Sequence, residues 1–205
     1  ATEREYMLYL PLYDGIHSLQ IGVAAPSHIG QPSLPYPDTR KPIVFYGSSI
    51  TQGACASRPG MAATNLIGRK LNVETINLGF SGNAFIDYEV AEMMAHVDAS
   101  AYVLDYVPNA SPEQILEKTE KFVRILREKH PDVPLIFVED PIFPHSKFDL
   151  RMAKEIKDKN DAMNQAFSSL KKQGLKKIYL VKGRSLISAN GESTVDGIHF
   201  TDCGF

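Results

Sequence analysis

The chain has 205 residues with a formal net charge of -2, 43% hydrophobic residues and 22% charged residues. This length favours one domain with a substantial core. The near-neutral charge argues against a nucleic-acid partner, and no apolar run approaches the ~20 residues that span a bilayer, so no membrane insertion is expected. The first residues show no signal-peptide pattern, which leaves the compartment open.

The chain contains two cysteines, Cys55 and Cys203. Two cysteines are too few for a disulfide framework, and their spacing does not match a known pattern of metal ligands. We therefore expect no metal and no cofactor.

The first 25 residues alternate in hydrophobicity as strands do. Tyr6, Leu8 and Leu10 share one face, and Leu19, Ile21 and Val23 follow after a turn near Gly15. The alternation predicts that residues 1–25 form a β-hairpin or the tail of an N-terminal β module. A proline-dense stretch follows, and we interpret residues 26–41 as an extended linker.

From residue 42 onwards, short apolar runs alternate with amphipathic segments. Strands are predicted at 42–47, 73–79, 101–107, 134–140 and 177–182. Strands that are separated by helices favour βαβ units and a parallel sheet. Residues 42–205 are thus predicted to form one α/β domain around a five-stranded parallel sheet.

Two helices show clear boundary signals. Ser111 is a predicted N-cap followed by a proline and by Gln114, the capping-box position. A second helix is predicted over residues 147–173, ending near Gly174 as its C-cap.

Polar residues follow the predicted strands at four points of the chain. These are Ser48-Ser49, the segment from Ser81 to Asn83, Asn109, and the Asp196-Gly197-Ile198-His199 segment. Because the carboxyl ends of parallel strands share one edge of a sheet, we expect these side chains to converge there.

These residue types suit acyl transfer. A serine hydroxyl becomes an effective nucleophile when an imidazole removes its proton and a carboxylate orients that imidazole. Backbone amides and a side-chain amide can stabilise the resulting oxyanion by roughly 3–4 kcal/mol per donor. Asn109 offers such an amide, and Gly82 lets the backbone approach closely.

In these blocks the chain resembles the SGNH hydrolase superfamily, also called GDSL-like esterases. The resemblance covers residues 40–205 and implies a flavodoxin-like three-layer α/β/α fold without a metal. It implies that Ser49, His199 and Asp196 are the catalytic residues. It also implies that the amides of Ser49 and Gly82, with the Asn109 side chain, form the oxyanion hole.

The chain departs from the family pattern at several points. Ser48 replaces the usual aspartate of the first block, and Val107-Pro108-Asn109-Ala110 stands where the family has Gly-x-Asn-Asp. The sequence ends six residues after His199, so we expect the last helix of the family to be missing.

Other candidates have simpler interpretations. Asp14-Gly15-Ile16-His17 duplicates the C-terminal motif, but it precedes every plausible nucleophile, so we assign it to a turn. His145 follows a strand end and either lines the cleft or belongs to a surface loop. Asp105 and the pair Glu139-Asp140 are assigned to capping and loop hydrogen bonds rather than to a metal.

We therefore predict a serine esterase that removes short acyl groups, acetyl above all, from a small-molecule or carbohydrate ester. A lysophospholipase or thioesterase is the enzymatic alternative, and a non-catalytic α/β binding module is the alternative from another class. A nucleotide-binding protein is disfavoured because no Gly-x-Gly-x-x-Gly or Walker pattern occurs. A polysaccharide substrate would favour a periplasmic or secreted location. The sequence leaves the oligomeric state open.

Overall fold

The protein is built around one five-stranded sheet. The computed structural model describes residues 4–33, 40–188 and 190–205. The strands are β1 (Ile43–Gly47), β2 (Thr75–Gly79), β3 (Ala101–Asp105), β4 (Leu135–Val138) and β5 (Ile178–Val181). All pairings are parallel, in the order β2-β1-β3-β4-β5, which is the flavodoxin-like order. The predicted parallel sheet is confirmed, each strand being one or two residues shorter at an end than predicted.

Among the described residues, five α-helices flank the sheet. They are α1 (Ser49–Gln52), α2 (Ala63–Leu71), α3 (Tyr88–Met94), α4 (Pro112–Lys129) and α5 (Leu150–Lys172). Helix α4 packs between α3 and α5, whereas α1 and α2 contact β2. In the described part of the chain, no helix is long and apolar enough to cross a membrane.

The predicted capping box begins α4. The Ser111 hydroxyl accepts a hydrogen bond from the Gln114 amide at 3.2 Å, and the Gln114 side chain accepts one from the Ser111 amide at 2.9 Å. This pairing satisfies two amides that have no partner inside the helix. The N-cap prediction is confirmed.

Helix α5 begins later than the sequence predicts. The Asp149 carboxylate accepts hydrogen bonds from the amides of Arg151 and Met152, so the cap lies at Asp149, and residues 144–147 form a 3-10 turn instead. At the other end Gln173 is the C-cap, and Gly174 follows with φ +84°.

Aromatic side chains fill much of the core between the sheet and α4. The rings of Tyr46 and Phe122 stack with centroids 5.3 Å apart, and both side chains are fully buried. The Tyr46 hydroxyl accepts a hydrogen bond from the Ile86 amide at 3.0 Å, and Tyr106 shares one with Thr119 at 2.9 Å. Burial raises the pKa of Tyr46 to about 12, so this hydroxyl stays neutral at any physiological pH.

The N-terminal segment differs from its prediction. Residues 4–33 contain no assigned helix or strand, and the alternating apolar side chains from Tyr6 to Val23 are exposed. Alternation alone cannot form a strand, because each strand needs a partner for its backbone hydrogen bonds, and none pairs with this segment among the described residues. Part of the predicted linker, residues 34–39, lies outside the described residues, and the division at residues 25 and 41 stays a prediction.

We expect Phe122→Ala to lower the free energy of unfolding by about 3–5 kcal/mol, because it leaves a cavity beside Tyr46. Leu116→Ala, on the exposed side of the same helix, should change it by no more than about 0.5 kcal/mol. Urea denaturation of both variants measures the difference. Equal losses would contradict the placement of the core.

Candidate active site

The register of the sheet brings three strand ends to one level. Gly47, the last residue of β1, lies opposite Gly79 of β2 on one side and Asp105 of β3 on the other. The strand order reverses between β1 and β3, which is where ligands bind in sheets of this kind. The loops that follow these strands therefore open at one edge.

Two glycines allow α1 to pack directly on that edge. A Cβ atom on Gly79 would lie 2.2 Å from the Gln52 amide nitrogen, and one on Gly47 would lie 2.1 Å from the Thr51 hydroxyl. Real Cβ atoms do not approach other atoms this closely. Any other residue at either position would therefore push α1 away from the sheet.

The serine pair has two distinct structural positions. Ser48 is fully buried, and its hydroxyl caps α1 by accepting a hydrogen bond from the Ile50 amide at 3.2 Å. Ser49 is the first residue of α1, and its hydroxyl lies 2.9 Å from Nε2 of His199. Only Ser49 is therefore placed beside an imidazole.

His199 also contacts the carboxylate expected to orient it. Its Nδ1 lies 2.6 Å from Asp196 Oδ2, while Asp196 Oδ1 accepts hydrogen bonds from the amides of Ile198 and His199 at 3.0 and 2.8 Å. The hydrogen bond from the imidazole, with those from the two amides, holds the pKa of Asp196 well below its usual range. This carboxylate is therefore ionised whenever the imidazole needs a partner.

The segment that carries His199 is fixed to the rest of the site. An isolated antiparallel bridge joins Thr194 and Phe200, and the Val195 amide donates to the His199 carbonyl at 2.8 Å. Farther along, the Asp202 carboxylate accepts hydrogen bonds from the amide and hydroxyl of Ser57 at 3.0 and 2.5 Å. These contacts connect residues that are 145 positions apart in the sequence.

The predicted oxyanion residues Gly82 and Asn109 lie in adjoining loops. The Asn109 side-chain oxygen accepts a hydrogen bond from the Ala84 amide at 3.3 Å, which connects the two loops. Across the described residues, no hydrogen bond uses the Asn109 NH2 group or the amides of Ser49 and Gly82. All three donors thus remain available to a ligand, while their role stays a prediction.

A lysine supports the loop that departs from the family pattern. Lys159 of α5 is buried and donates to the Pro108 carbonyl at 3.0 Å. It also pairs with Glu155 at 2.6 Å. A charge-assisted hydrogen bond to the residue before Asn109 fixes this loop, which lacks the usual glycine and aspartate. No local pattern could have predicted this contact, because 51 residues separate its two partners.

Two residues of α1 make three further positioning contacts. The Thr51 hydroxyl donates to Asp105 Oδ2 at 2.6 Å, and Gln52 accepts from the Ser81 amide at 3.0 Å while donating to the Leu12 carbonyl at 3.1 Å. Gln52 therefore links the loop before Gly82 to the N-terminal segment. Asp105 at the end of β3 thus accepts a hydrogen bond from a helix residue 54 positions away, rather than from its own loop.

The other candidate residues from the sequence include His145, His17 and Glu139. His145 is half-buried and packs against the turn before His199, since a Cβ on Gly197 would lie 2.8 Å from its Cε1. His17 is exposed, and no hydrogen bond joins it to another described residue. Glu139 accepts hydrogen bonds from Asn164, Lys182 and Gly183.

Comparison with known proteins identifies the family of this chain. The GDSL-like lipase/acylhydrolase family matches residues 40–205. The chain belongs to this family, and its resemblance to the SGNH hydrolase superfamily is confirmed. No curated protein matched the chain.

Solved structures give the same fold. A candidate GDSL-like lipase from Bacteroides ovatus is 43% identical with a TM-score of 0.89, and the match covers 96% of this chain and 57% of that one. The salicylyl-acyltransferase SsfX3 is 18% identical with a TM-score of 0.69, covering 80% and 51%. A two-domain esterase active on acetylated mannans is 17% identical with a TM-score of 0.56, covering 80% and 45%. The chain thus spans about half the length of each of these proteins, from 45% to 57%.

We expect Asp105 to make stability depend on pH. Burial raises its pKa to about 7, against about 3.9 in an unfolded chain, so the native state favours the protonated form. Stability from this group is fully present below pH ~4 and is lost as pH rises to ~7, by up to about 4 kcal/mol.

Asp105→Asn can still accept the Thr51 hydrogen bond and carries no charge. The unfolding free energy of the variant minus that of the wild type should therefore rise between pH 4 and 7. Asp140, whose pKa burial also raises to about 7, is present in both proteins. Its charge repels an ionised Asp105, so it adds to the expected rise rather than opposing it. Parallel pH curves from urea denaturation would show that Asp105 does not titrate as its burial requires.

Proposed function

We propose that the protein is a serine esterase in which Ser49, His199 and Asp196 act together. The observation that carries the proposal is the continuous chain of contacts from the Ser49 hydroxyl through the imidazole to the Asp196 carboxylate, at 2.9 and 2.6 Å. Family membership supports hydrolysis as the type of reaction.

In this mechanism the Ser49 oxygen attacks the ester carbonyl while Nε2 of His199 takes the hydroxyl proton. Asp196 keeps the Nδ1 proton in place and stabilises the imidazolium that forms. The resulting oxyanion accepts hydrogen bonds from the amides of Ser49 and Gly82 and from Asn109. Breakdown of this intermediate transfers the proton to the leaving alcohol.

The acyl group is then attached to Ser49, and a water molecule completes the reaction. His199 removes a proton from the water, which attacks the acyl carbonyl, and the carboxylic acid leaves as Ser49 recovers its proton. No other group is required, because the same imidazole acts as base and then as acid in both halves.

We propose a short acyl group, acetyl above all, on a carbohydrate as the substrate. The loop after α1, the helix that begins with Ser49, is polar, since its Ser57 and Arg58 contact Asp202. A long acyl chain would need an extended apolar channel, each buried CH2 contributing about 0.8 kcal/mol. The similarity in fold to an esterase that acts on acetylated mannans is consistent with this choice.

Ser49→Ala and His199→Ala should each lower kcat by about 10³–10⁶-fold on a chromogenic acetyl ester, and the double variant should be little slower, because the two act as a unit. Additive losses would contradict a shared step. Labelling with a fluorophosphonate probe should also disappear in Ser49→Ala. If the fluorophosphonate probe does not label the wild-type protein, the non-catalytic binding module is favoured instead.

Two matched controls test the assignment. Ser48→Ala loses a helix cap but no nucleophile, and His17→Ala removes the histidine of the duplicated motif from an exposed position. Both should keep most of their turnover. A dead, folded Ser48→Ala together with an active Ser49→Ala would reverse the roles of the two serines.

The substrate proposal predicts that kcat/KM falls from acetyl to butyryl to octanoyl esters of one chromogenic alcohol. Acetate release from an acetylated oligosaccharide should accompany this order. Rates that rise with acyl length, with no acetate released, would favour a lysophospholipase or thioesterase. That outcome would change the substrate while leaving the three proposed catalytic residues in place.

A further inference from the structure

The Cys55 thiol lies close to Asp196 and His199. In the sequence, Cys55 is six residues from Ser49 but far from His199. Donor atoms of Cys55, Asp196 and His199 all lie within 4.8 Å of one another. Cys55 and Asp196 are exposed and His199 is half-buried, so an ion can reach all three from solvent.

Backbone contacts fix the position of this thiol. The chain reverses after α1, where the Ala54 amide donates to the Ser49 carbonyl at 2.9 Å, and Cys55 then adopts φ 67°. Two residues later, Ser57 donates to Asp202 of the segment that carries His199. The loop is therefore anchored on both sides of Cys55, which keeps the thiol near the imidazole.

The donor set suits one kind of ion. A thiolate and a carboxylate supply two negative charges, and a neutral imidazole supplies a nitrogen ligand. Zn²⁺ binds sulfur, nitrogen and carboxylate oxygen, and three protein ligands leave its fourth position to water. Mg²⁺ and Ca²⁺ prefer oxygen ligands, so a site that contains a thiolate selects against them.

We propose that Cys55, Asp196 and His199 form a binding site for Zn²⁺, and that the bound ion inhibits the esterase. The inhibitory half of this proposal rests on the function proposed above, whereas the binding half does not.

Binding and catalysis exclude each other for a geometric reason. Both imidazole nitrogens are already in use, since Nε2 contacts Ser49 and Nδ1 contacts Asp196. An ion on Nε2 displaces the nucleophile, and an ion on Nδ1 replaces the proton through which Asp196 orients the ring. Either mode removes one of the two contacts that the relay needs.

The first test measures binding without turnover. The chelator-treated wild type, Cys55→Ser and Cys203→Ser are titrated with Co²⁺, which reports a bound thiolate by charge-transfer absorption in the near ultraviolet. We expect a saturable band in the wild type and in Cys203→Ser, lost from both when Zn²⁺ is added, and no such band in Cys55→Ser. No saturable band in the wild type, or an equal band in Cys55→Ser, would overturn the site.

The second test measures inhibition. Each protein is assayed with increasing Zn²⁺ on the acetyl ester, and each rate is divided by that protein's own rate without metal. Loss of an outer-sphere partner typically weakens metal affinity by about 10–100-fold, so loss of a direct ligand in Cys55→Ser should raise the inhibitory concentration by at least about tenfold. Cys203→Ser should match the wild type, and a chelator should restore activity in both.

The two proposals fail in different ways. Equal zinc inhibition of the wild type and Cys55→Ser would overturn the inhibitory site while leaving the esterase intact. A Co²⁺ band that depends on Cys55, in a protein without esterase activity, would support the metal site and contradict the proposed function. Cys55→Ala provides a second variant if Cys55→Ser is poorly folded, as judged by its unfolding transition.

Discussion

The packing of α1 against the ends of β1, β2 and β3 is the constraint on which the site depends. Gly47 and Gly79 leave no side chain between the helix and the sheet, and the Thr51 hydroxyl joins the helix to Asp105 at 2.6 Å. Burying a carboxyl group is unfavourable unless it is hydrogen-bonded or neutral. Because this bond offsets part of that cost, a shift of α1 would leave Asp105 buried without its partner.

Gln52 of the same helix forms hydrogen bonds with two neighbouring segments of the chain. Its side chain accepts a hydrogen bond from the Ser81 amide and donates one to the Leu12 carbonyl. The loop that contains Gly82 is thus positioned by the element that carries Ser49, so the proposed nucleophile and one proposed oxyanion donor have a common support. Lys159 of α5 supports the loop that contains Asn109 in a similar way, because its side chain donates a hydrogen bond to the Pro108 carbonyl.

Much of the fold could be predicted from the sequence. Hydrophobic runs separated by amphipathic segments located all five strands, and the Ser111–Gln114 capping box located the start of α4, because these signals are local. The N-terminal alternation did not yield strands among the described residues, since a strand also requires a partner that local pattern does not specify. Helix α5 begins later than predicted because the Asp149 carboxylate, rather than a side chain near residue 147, accepts hydrogen bonds from the first amides of the helix.

Each candidate residue of the site could be predicted from its own short motif. The contacts between distant motifs could not. The Asp196–His199 contact spans three residues and is local, but the Ser49–His199 contact spans 150 residues and depends on the fold. The supporting contacts of Thr51, Gln52 and Lys159 carry no motif, because their partners lie between 29 and 54 residues away in the sequence.

Cys55 also could not be recognised as a candidate metal ligand from the sequence. Rules for metal ligands in a sequence describe ligands that share one local segment, and two isolated cysteines do not satisfy them. Here one donor comes from the loop after α1 and two from the segment 196–199, and the Ser57–Asp202 hydrogen bonds join these two parts of the chain. The contacts that fix His199 beside Ser49 therefore also fix it beside a thiol, so the same arrangement that favours proton transfer creates a place for an ion that would prevent it.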